Sequence, residues 1–148
     1  MIYDVNTIAN YIVNYSIDNS NPVSNLKLQK LLYYVQANFL VNKNTPCFGE
    51  DITHWRHGPV VVNVYSKFKK YFNNNILDKQ ELTNNQLDNN DILLIEKVIN
   101  SYSNTSAWEM VAKTHSEAPW IETNNNSTIN INYIKNYFQN NPEKLLSD

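Results

Sequence analysis

Two histidines flank a tryptophan and an arginine in residues 54–59, which read His-Trp-Arg-His-Gly-Pro. Side chains of these types can hold a metal ion, transfer protons or bind an anion. The spacing of His54 and His57 resembles an H-x-x-H metal motif, but the alternation over residues 51–57 predicts an extended segment. Extended side chains three positions apart point to opposite faces, so one ion would not reach both histidines. We therefore expect no metal site and no cofactor.

Covalent or acid–base catalysis would need further groups beside these histidines. The single cysteine, Cys47, lies between a proline and a phenylalanine, with no neighbouring cation to lower the pKa of its thiol. We expect no catalytic residue and no enzyme activity. The rival hypothesis is an enzyme that uses His54, His57 or His115, and a series of histidine-to-alanine variants would test it.

Both glycines of the chain, Gly49 and Gly58, lie in one short stretch. Two glycines nine positions apart, without a Gly-Lys-Ser/Thr sequence, exclude a Walker loop and a dinucleotide-binding turn. The pair at 58–59, Gly-Pro, is typical of a helix N-cap and first helical position. A helix start beside Arg56 would attract a carboxylate or phosphate. The alternative for Arg56 is an ion pair with the neighbouring acids at 50–51.

Size and composition favour one domain, residues 1–148, with its core at about residues 5–138. The chain is 42% hydrophobic, carries a net charge of −2 and has one cysteine, so no internal disulfide forms. No signal-peptide pattern or membrane-spanning apolar run is present, and we expect a cytoplasmic protein. The net charge does not favour nucleic acid, and the lysines at 67, 69 and 70 fit a solvated helix face.

The apolar spacing predicts a mostly α fold, a compact bundle of about six helices with a minor extended element around residues 51–57. Expected N-caps are Asp4, Ser24, Ser106 and Thr128. Ten of the aromatic residues are tyrosines, and several lie beside the apolar stripes rather than within them. Tyrosine is enriched at protein interfaces, which favours a binding surface, although an AT-rich genome would also favour tyrosine.

Three motifs together identify a family resemblance. They are Lys-Leu-Gln-Lys-Leu-Leu-Tyr at 27–33, Trp-Arg-His-Gly-Pro-Val at 55–60 and Thr-His-Ser-Glu-Ala-Pro-Trp at 114–120. In this order and spacing they resemble the Panacea antitoxin-domain family, which includes the SocA-like antitoxins and prophage GepA-type proteins. The matching motif positions are Lys27, Leu28, Gln29, Lys30, Leu31, Tyr33, Trp55, Gly58, Pro59, Val60, His115, Pro119 and Trp120.

The resemblance implies an antitoxin, encoded near its toxin in a bacterium or phage, that neutralises the toxin by direct protein contact. The alternative it implies is a prophage-encoded adaptor that delivers a toxin or host protein to a protease such as ClpXP. Self-association stays open. Among the motif residues, Leu28 and Leu31 lie on an inward stripe and are expected in the core. The residues expected at the surface, in contact with the toxin, are Gln29, Lys30, Trp55, Arg56 and His57.

Overall fold

The computed structural model describes residues 2–82 and 87–147. Within these ranges the chain forms seven α-helices and one small antiparallel β-hairpin, which confirms the predicted mostly α fold. The helices are α1 (Val5–Asp18), α2 (Asn25–Lys43), α3 (Val62–Phe68), α4 (Asn89–Ser101), α5 (Ala107–His115), α6 (Ala118–Ile121) and α7 (Ile131–Asn140). The strands are β1 (Thr53–Trp55) and β2 (Gly58–Val60), and 3₁₀ turns cover Lys69–Tyr71 and Pro142–Lys144.

Helix α2 lies at the centre and packs against α1, α3, α4, α5, α7 and β2. Every residue from 28 to 40 is buried, although the sequence pattern predicted a single inward face. Because other elements surround this helix, its polar residues are buried along with the apolar ones. Helix α2 is therefore the central element against which the hairpin packs.

Local capping residues set several helix starts as predicted. Asp4 accepts a hydrogen bond from the Asn6 amide at 2.8 Å, and Ser24 accepts one from the Lys27 amide at 3.2 Å. Ser106 forms a reciprocal capping box at the start of α5. The one helix beyond the six predicted is α6, which is a single turn. It has a proline in its first turn, where the missing N–H costs little.

The predicted start of the last helix at Thr128 is wrong, because Asn130 caps α7. Residues 126–129 instead run along the outer edge of β1. The His54 amide donates to the carbonyl oxygen of Ser127 at 3.0 Å, and the Ile129 amide donates to that of Ile52 at 2.8 Å. This pairing covers one edge of the hairpin.

The helix start predicted at residues 58–59 is also wrong. These residues belong to β2, where Gly58 lies opposite Trp55 across a two-residue turn that begins at Arg56. Helix α3 starts later, at Val62. The helix start on which the predicted anion site at Arg56 depended is therefore not formed at residues 58–59. The extended element is longer than expected because it folds back as a hairpin.

The buried core draws residues from all the helices except α6, and it contains several of the tyrosines. Tyr33, Tyr34 and Tyr102 are fully buried, and the rings of Tyr34 and Tyr102 stack with centroids 4.9 Å apart. These three tyrosines are therefore core residues rather than surface contacts. In the ranges that the structure describes, no helix combines the length and apolar character needed to cross a membrane.

Candidate functional site

The hairpin rests on α2 and α5 through Gly58. A Cβ atom at this position would lie 2.5 Å from Lys30 Cε and 2.8 Å from Thr114 Oγ1, which is closer than packing allows. The φ angle of Gly58 is +108°, a conformation that side-chain-bearing residues rarely adopt. Position 58 is therefore restricted to glycine both by its backbone angle and by its neighbours.

Lys30 is buried beneath the hairpin, where its Nζ donates to the carbonyl oxygen of Pro59 at 3.1 Å. In the described part of the chain, no acidic side chain forms an ion pair with it. Burial alone lowers the pKa of Lys30 to about 7. The expectation that Lys30 lies at the surface is wrong, because the hairpin covers this side of α2.

Gln29 is also buried, contrary to the predicted surface position, and it connects α2 to the segment after the hairpin. Its Oε1 accepts from the Val61 amide at 2.9 Å, while its Nε2 donates to Asn25 Oδ1 at 2.9 Å. Asn25 in turn donates to the carbonyl oxygen of Tyr65 at 3.1 Å. This chain of bonds fixes α3 relative to α2.

Trp120 contacts two imidazole rings. The ring of His54 stacks on the indole, with centroids 4.1 Å apart and an interplanar angle of 14°. The ring of His115 is tilted by 31° to the indole, with centroids 4.2 Å apart. The indole thus joins β1 to helices α5 and α6. We call this group, His54, His115 and Trp120, the ring lock.

Hydrogen bonds to backbone carbonyls complete the ring lock. The indole Nε1 of Trp120 donates to the carbonyl oxygen of Trp55 at 3.0 Å. His54 Nδ1 lies 2.8 Å from the carbonyl oxygen of Trp120, and His115 Nε2 lies 2.8 Å from that of Arg56. A carbonyl oxygen only accepts, so each of these nitrogens donates a proton. Two of the three histidines therefore position the hairpin.

Residues considered for metal binding or covalent chemistry form no set of ligands in the described part of the chain. Within residues 2–82 and 87–147, no group of three or more His, Cys, Asp or Glu side chains is arranged to hold a metal. Cys47 is buried, and burial raises the pKa of its thiol well above the usual range. The reactive thiolate is thereby disfavoured.

A buried acid at the junction of α5 and α6 was not identified from the sequence. Glu117 is fully buried and accepts from the Tyr34 hydroxyl at 3.0 Å and from Lys113 Nζ at 2.7 Å. Burial raises the pKa of Glu117, against the opposing effect of Lys113. The i,i+4 spacing of Lys113 and Glu117 was the available sign in the sequence. This cluster ties the third motif to α2.

The other motif residues are also structural. Lys27 Nζ donates to the carbonyl oxygens of Tyr102 and Thr105 at 2.8 and 2.7 Å, which fixes the turn between α4 and α5. Burial lowers the pKa of this lysine. The remaining motif positions that are buried are Leu28, Leu31, Tyr33, Pro59, Val60 and Pro119.

The hairpin turn itself faces outward. Arg56 and His57 are exposed, and the ring of His57 meets that of Trp108, which is 60% exposed, at 5.0 Å. The half-buried Trp55 packs edge-on against Tyr65 at 5.0 Å. We define the hairpin face as Trp55, Arg56, His57, Tyr65, Phe72 and Trp108.

A groove of about 430 Å³ runs between the hairpin and α3. Its aromatic lining is Trp55, Tyr65 and Phe72, and its charged lining is Arg56 and Lys69, with no acidic side chain among the lining residues. The ion pair considered for Arg56 is not formed: the neighbouring acids at 50–51 bond instead to the start of α1 and to Thr128. The groove is therefore apolar with a positive rim.

Comparison with known proteins places the chain among the antitoxins. The family model described as Antitoxin SocA-like, Panacea domain matches residues 28–121. The chain therefore belongs to the SocA-like Panacea antitoxin family, as the three motifs indicated. It is similar to the Antitoxin SocA of Caulobacter vibrioides (strain NA1000 / CB15N), with 33% identity over 128 residues, covering 79% of this chain and 68% of that protein. No solved structure matches this chain.

Family membership supports an antitoxin role for the chain and indicates a regulatory protein rather than an enzyme. It also implies a toxin as the general kind of partner. The matched range contains α2 from Leu28 onward, the hairpin and the ring lock. Many of the motif residues on which the resemblance rests thus hold the hairpin against the helices.

Proposed function

We propose that this chain is an antitoxin that neutralises a cognate protein toxin, encoded nearby, by direct binding through the hairpin face. One observation carries the proposal. The hairpin is held from beneath by Gly58, Lys30 and the ring lock, while its turn presents aromatic and cationic side chains outward. The contact surface is thereby ordered before a partner arrives.

Preorganisation matters because ordering a loop on binding costs free energy that subtracts from affinity. Tryptophan, tyrosine and arginine are also the residues most often found at the energetic centre of protein interfaces. Trp55, Arg56 and His57 are the predicted contacts that stay in this proposal, and Trp108 and Phe72 join them. Gln29 and Lys30 act as positioning residues from beneath.

Co-expression with the product of the adjacent gene tests the proposal. We expect that gene product alone to arrest growth, and this chain to restore growth and to co-purify with the toxin at a fixed stoichiometry. Native mass measurement of the chain alone and of the complex would also give its oligomeric state. A harmless neighbour that forms no complex would contradict the proposal.

The adaptor hypothesis is distinguished by the fate of the bound toxin. Blocking the toxin's surface leaves its half-life in the cytoplasm unchanged or longer, whereas delivery to a protease such as ClpXP shortens it. A pulse-chase of the toxin with and without this chain, in cells with and without the protease, separates the two mechanisms. We expect rescue that does not depend on the protease.

A further inference from the structure

The charges of this chain are segregated along the sequence. Residues 52–77 contain Arg56 and three lysines but no aspartate or glutamate, whereas the chain as a whole has a net charge of −2. This stretch forms the hairpin, α3 and the following 3₁₀ turn. The hairpin, α3 and the 3₁₀ turn therefore carry a positive charge in a chain whose net charge is negative.

Of the four cations in this stretch, two are engaged elsewhere and two line the groove. Lys67 Nζ donates to Asn10 Oδ1 at 2.8 Å, and Lys70 Nζ lies 5.5 Å from the ring centroid of Tyr71. Arg56 and Lys69 instead line the groove, and none of the described residues that line it with them is acidic. Carboxylates of an acidic partner would pair with these two positive charges.

Phe72 gives an independent indication that the groove binds a partner. It occupies the first central position of a turn closed by the Asn74 amide and the carbonyl oxygen of Tyr71, 3.0 Å apart. Its φ of 53° and ψ of −124° are those of a type II′ turn, which favours glycine at this position. The chain nevertheless places there a phenylalanine that is 80% exposed. Such strain at an exposed aromatic residue is typical of a functional site.

We propose that this groove receives an acidic segment of the toxin, which inserts an apolar side chain against Phe72 and Trp55 while its carboxylates pair with Arg56 and Lys69. The inference rests on the proposed function and specifies the chemistry of its partner. A protein segment is favoured over single-stranded nucleic acid because the groove is largely apolar and the family implies a toxin partner.

The test uses the purified toxin and two variants of the full chain. The first, Arg56→Glu/Lys69→Glu, reverses the groove charge, with Lys97→Glu on the exposed side of α4 as the matched control. The second, Phe72→Gly, removes the aromatic ring and relieves the turn. Circular dichroism and thermal melting verify that each variant folds, and Phe72→Gly should melt at a higher temperature than wild type.

We expect each groove variant to raise the Kd for the toxin by about 30-fold or more, the factor that corresponds to loss of a hot-spot residue. The Lys97→Glu control should bind like wild type. Raising salt from about 50 to about 500 mM should weaken wild-type binding but change little in the charge-reversed variant.

Each contrary result has a separate meaning. Folded groove variants that bind the toxin with an unchanged Kd would overturn this inference and leave the proposed function intact, with the toxin bound elsewhere. A wild-type chain that binds no toxin would overturn both. A labelled oligouridylate that binds wild type and is lost from the charge-reversed variant, while toxin binding persists, would assign the groove to nucleic acid instead.

Discussion

Lys30 passes so close beneath Gly58 that a Cβ atom on the glycine would lie 2.5 Å from Lys30 Cε. The lysine Nζ continues to the carbonyl oxygen of Pro59, the next residue of the strand. A buried side chain of α2 and the backbone of β2 thus fit against each other directly. The position of the exposed turn depends on this contact.

Gly58→Ala should destabilise the fold strongly, because alanine would meet both the positive φ and the contact with Lys30. We expect a loss of about 2–4 kcal/mol in the free energy of unfolding, measured by urea denaturation. Gly49→Ala is the matched control, since a Cβ there meets only Ile2 Cγ2, at 3.9 Å. Equal stability of the two variants would contradict the account of Gly58.

Lys30→Met should remove a pH dependence of stability. The folded-state pKa of Lys30 is lowered to about 7, whereas an unfolded lysine has a pKa of about 10.4. Between these values the unfolded state binds more protons, so this lysine makes stability rise with pH. Below about pH 7 both states are protonated and the burial penalty is complete.

The measurement is the free energy of unfolding of wild type and Lys30→Met from about pH 6 to about pH 9. Wild type should gain up to about 1.4 kcal/mol per pH unit relative to the variant above pH ~7. Lys97→Met, at an exposed position, should run parallel to wild type. Parallel curves for wild type and Lys30→Met would show that the buried lysine does not titrate in this range.

Trp120→Phe should loosen the hairpin without unfolding the helices. The variant keeps an aromatic ring in contact with His54 and His115 but loses the hydrogen bond to the carbonyl oxygen of Trp55. We expect a loss of about 1–2 kcal/mol, with faster hydrogen exchange at the amides of residues 53–60. Tyr133→Phe, at an exposed aromatic residue of α7 outside the hairpin face, should change neither quantity. Unchanged exchange in Trp120→Phe would argue against the ring lock.

The sequence predicted what local chemistry determines. Asp4, Ser24 and Ser106 each carry a capping side chain at the first turn of a helix, and each caps the helix expected. The Gly-Pro pair at 58–59 misled because the same two residues suit a helix start and a turn with positive φ. Pairing with β1 across the turn, together with the close contact of Gly58 with Lys30 and Thr114, decides for the strand.

The candidate site was also predicted only where local sequence decides the outcome. The outward position of Arg56 and His57 follows from a polar turn, and it was correctly expected. The burial of Gln29 and Lys30 depends on the hairpin covering a second side of α2, which no helical periodicity within residues 25–43 reveals. Phe72 was not identified from the sequence because its positive φ and its exposure are not visible in its residue type.

The affinity of the purified toxin for Trp55→Ala tests the central claim most directly. Isothermal titration should show a loss of about 2 kcal/mol or more relative to wild type, with an unchanged far-UV circular dichroism spectrum. Tyr133→Ala, at an exposed aromatic residue of α7 outside the hairpin face, should bind like wild type. A folded Trp55→Ala that binds the toxin as tightly as wild type would contradict binding through the hairpin face.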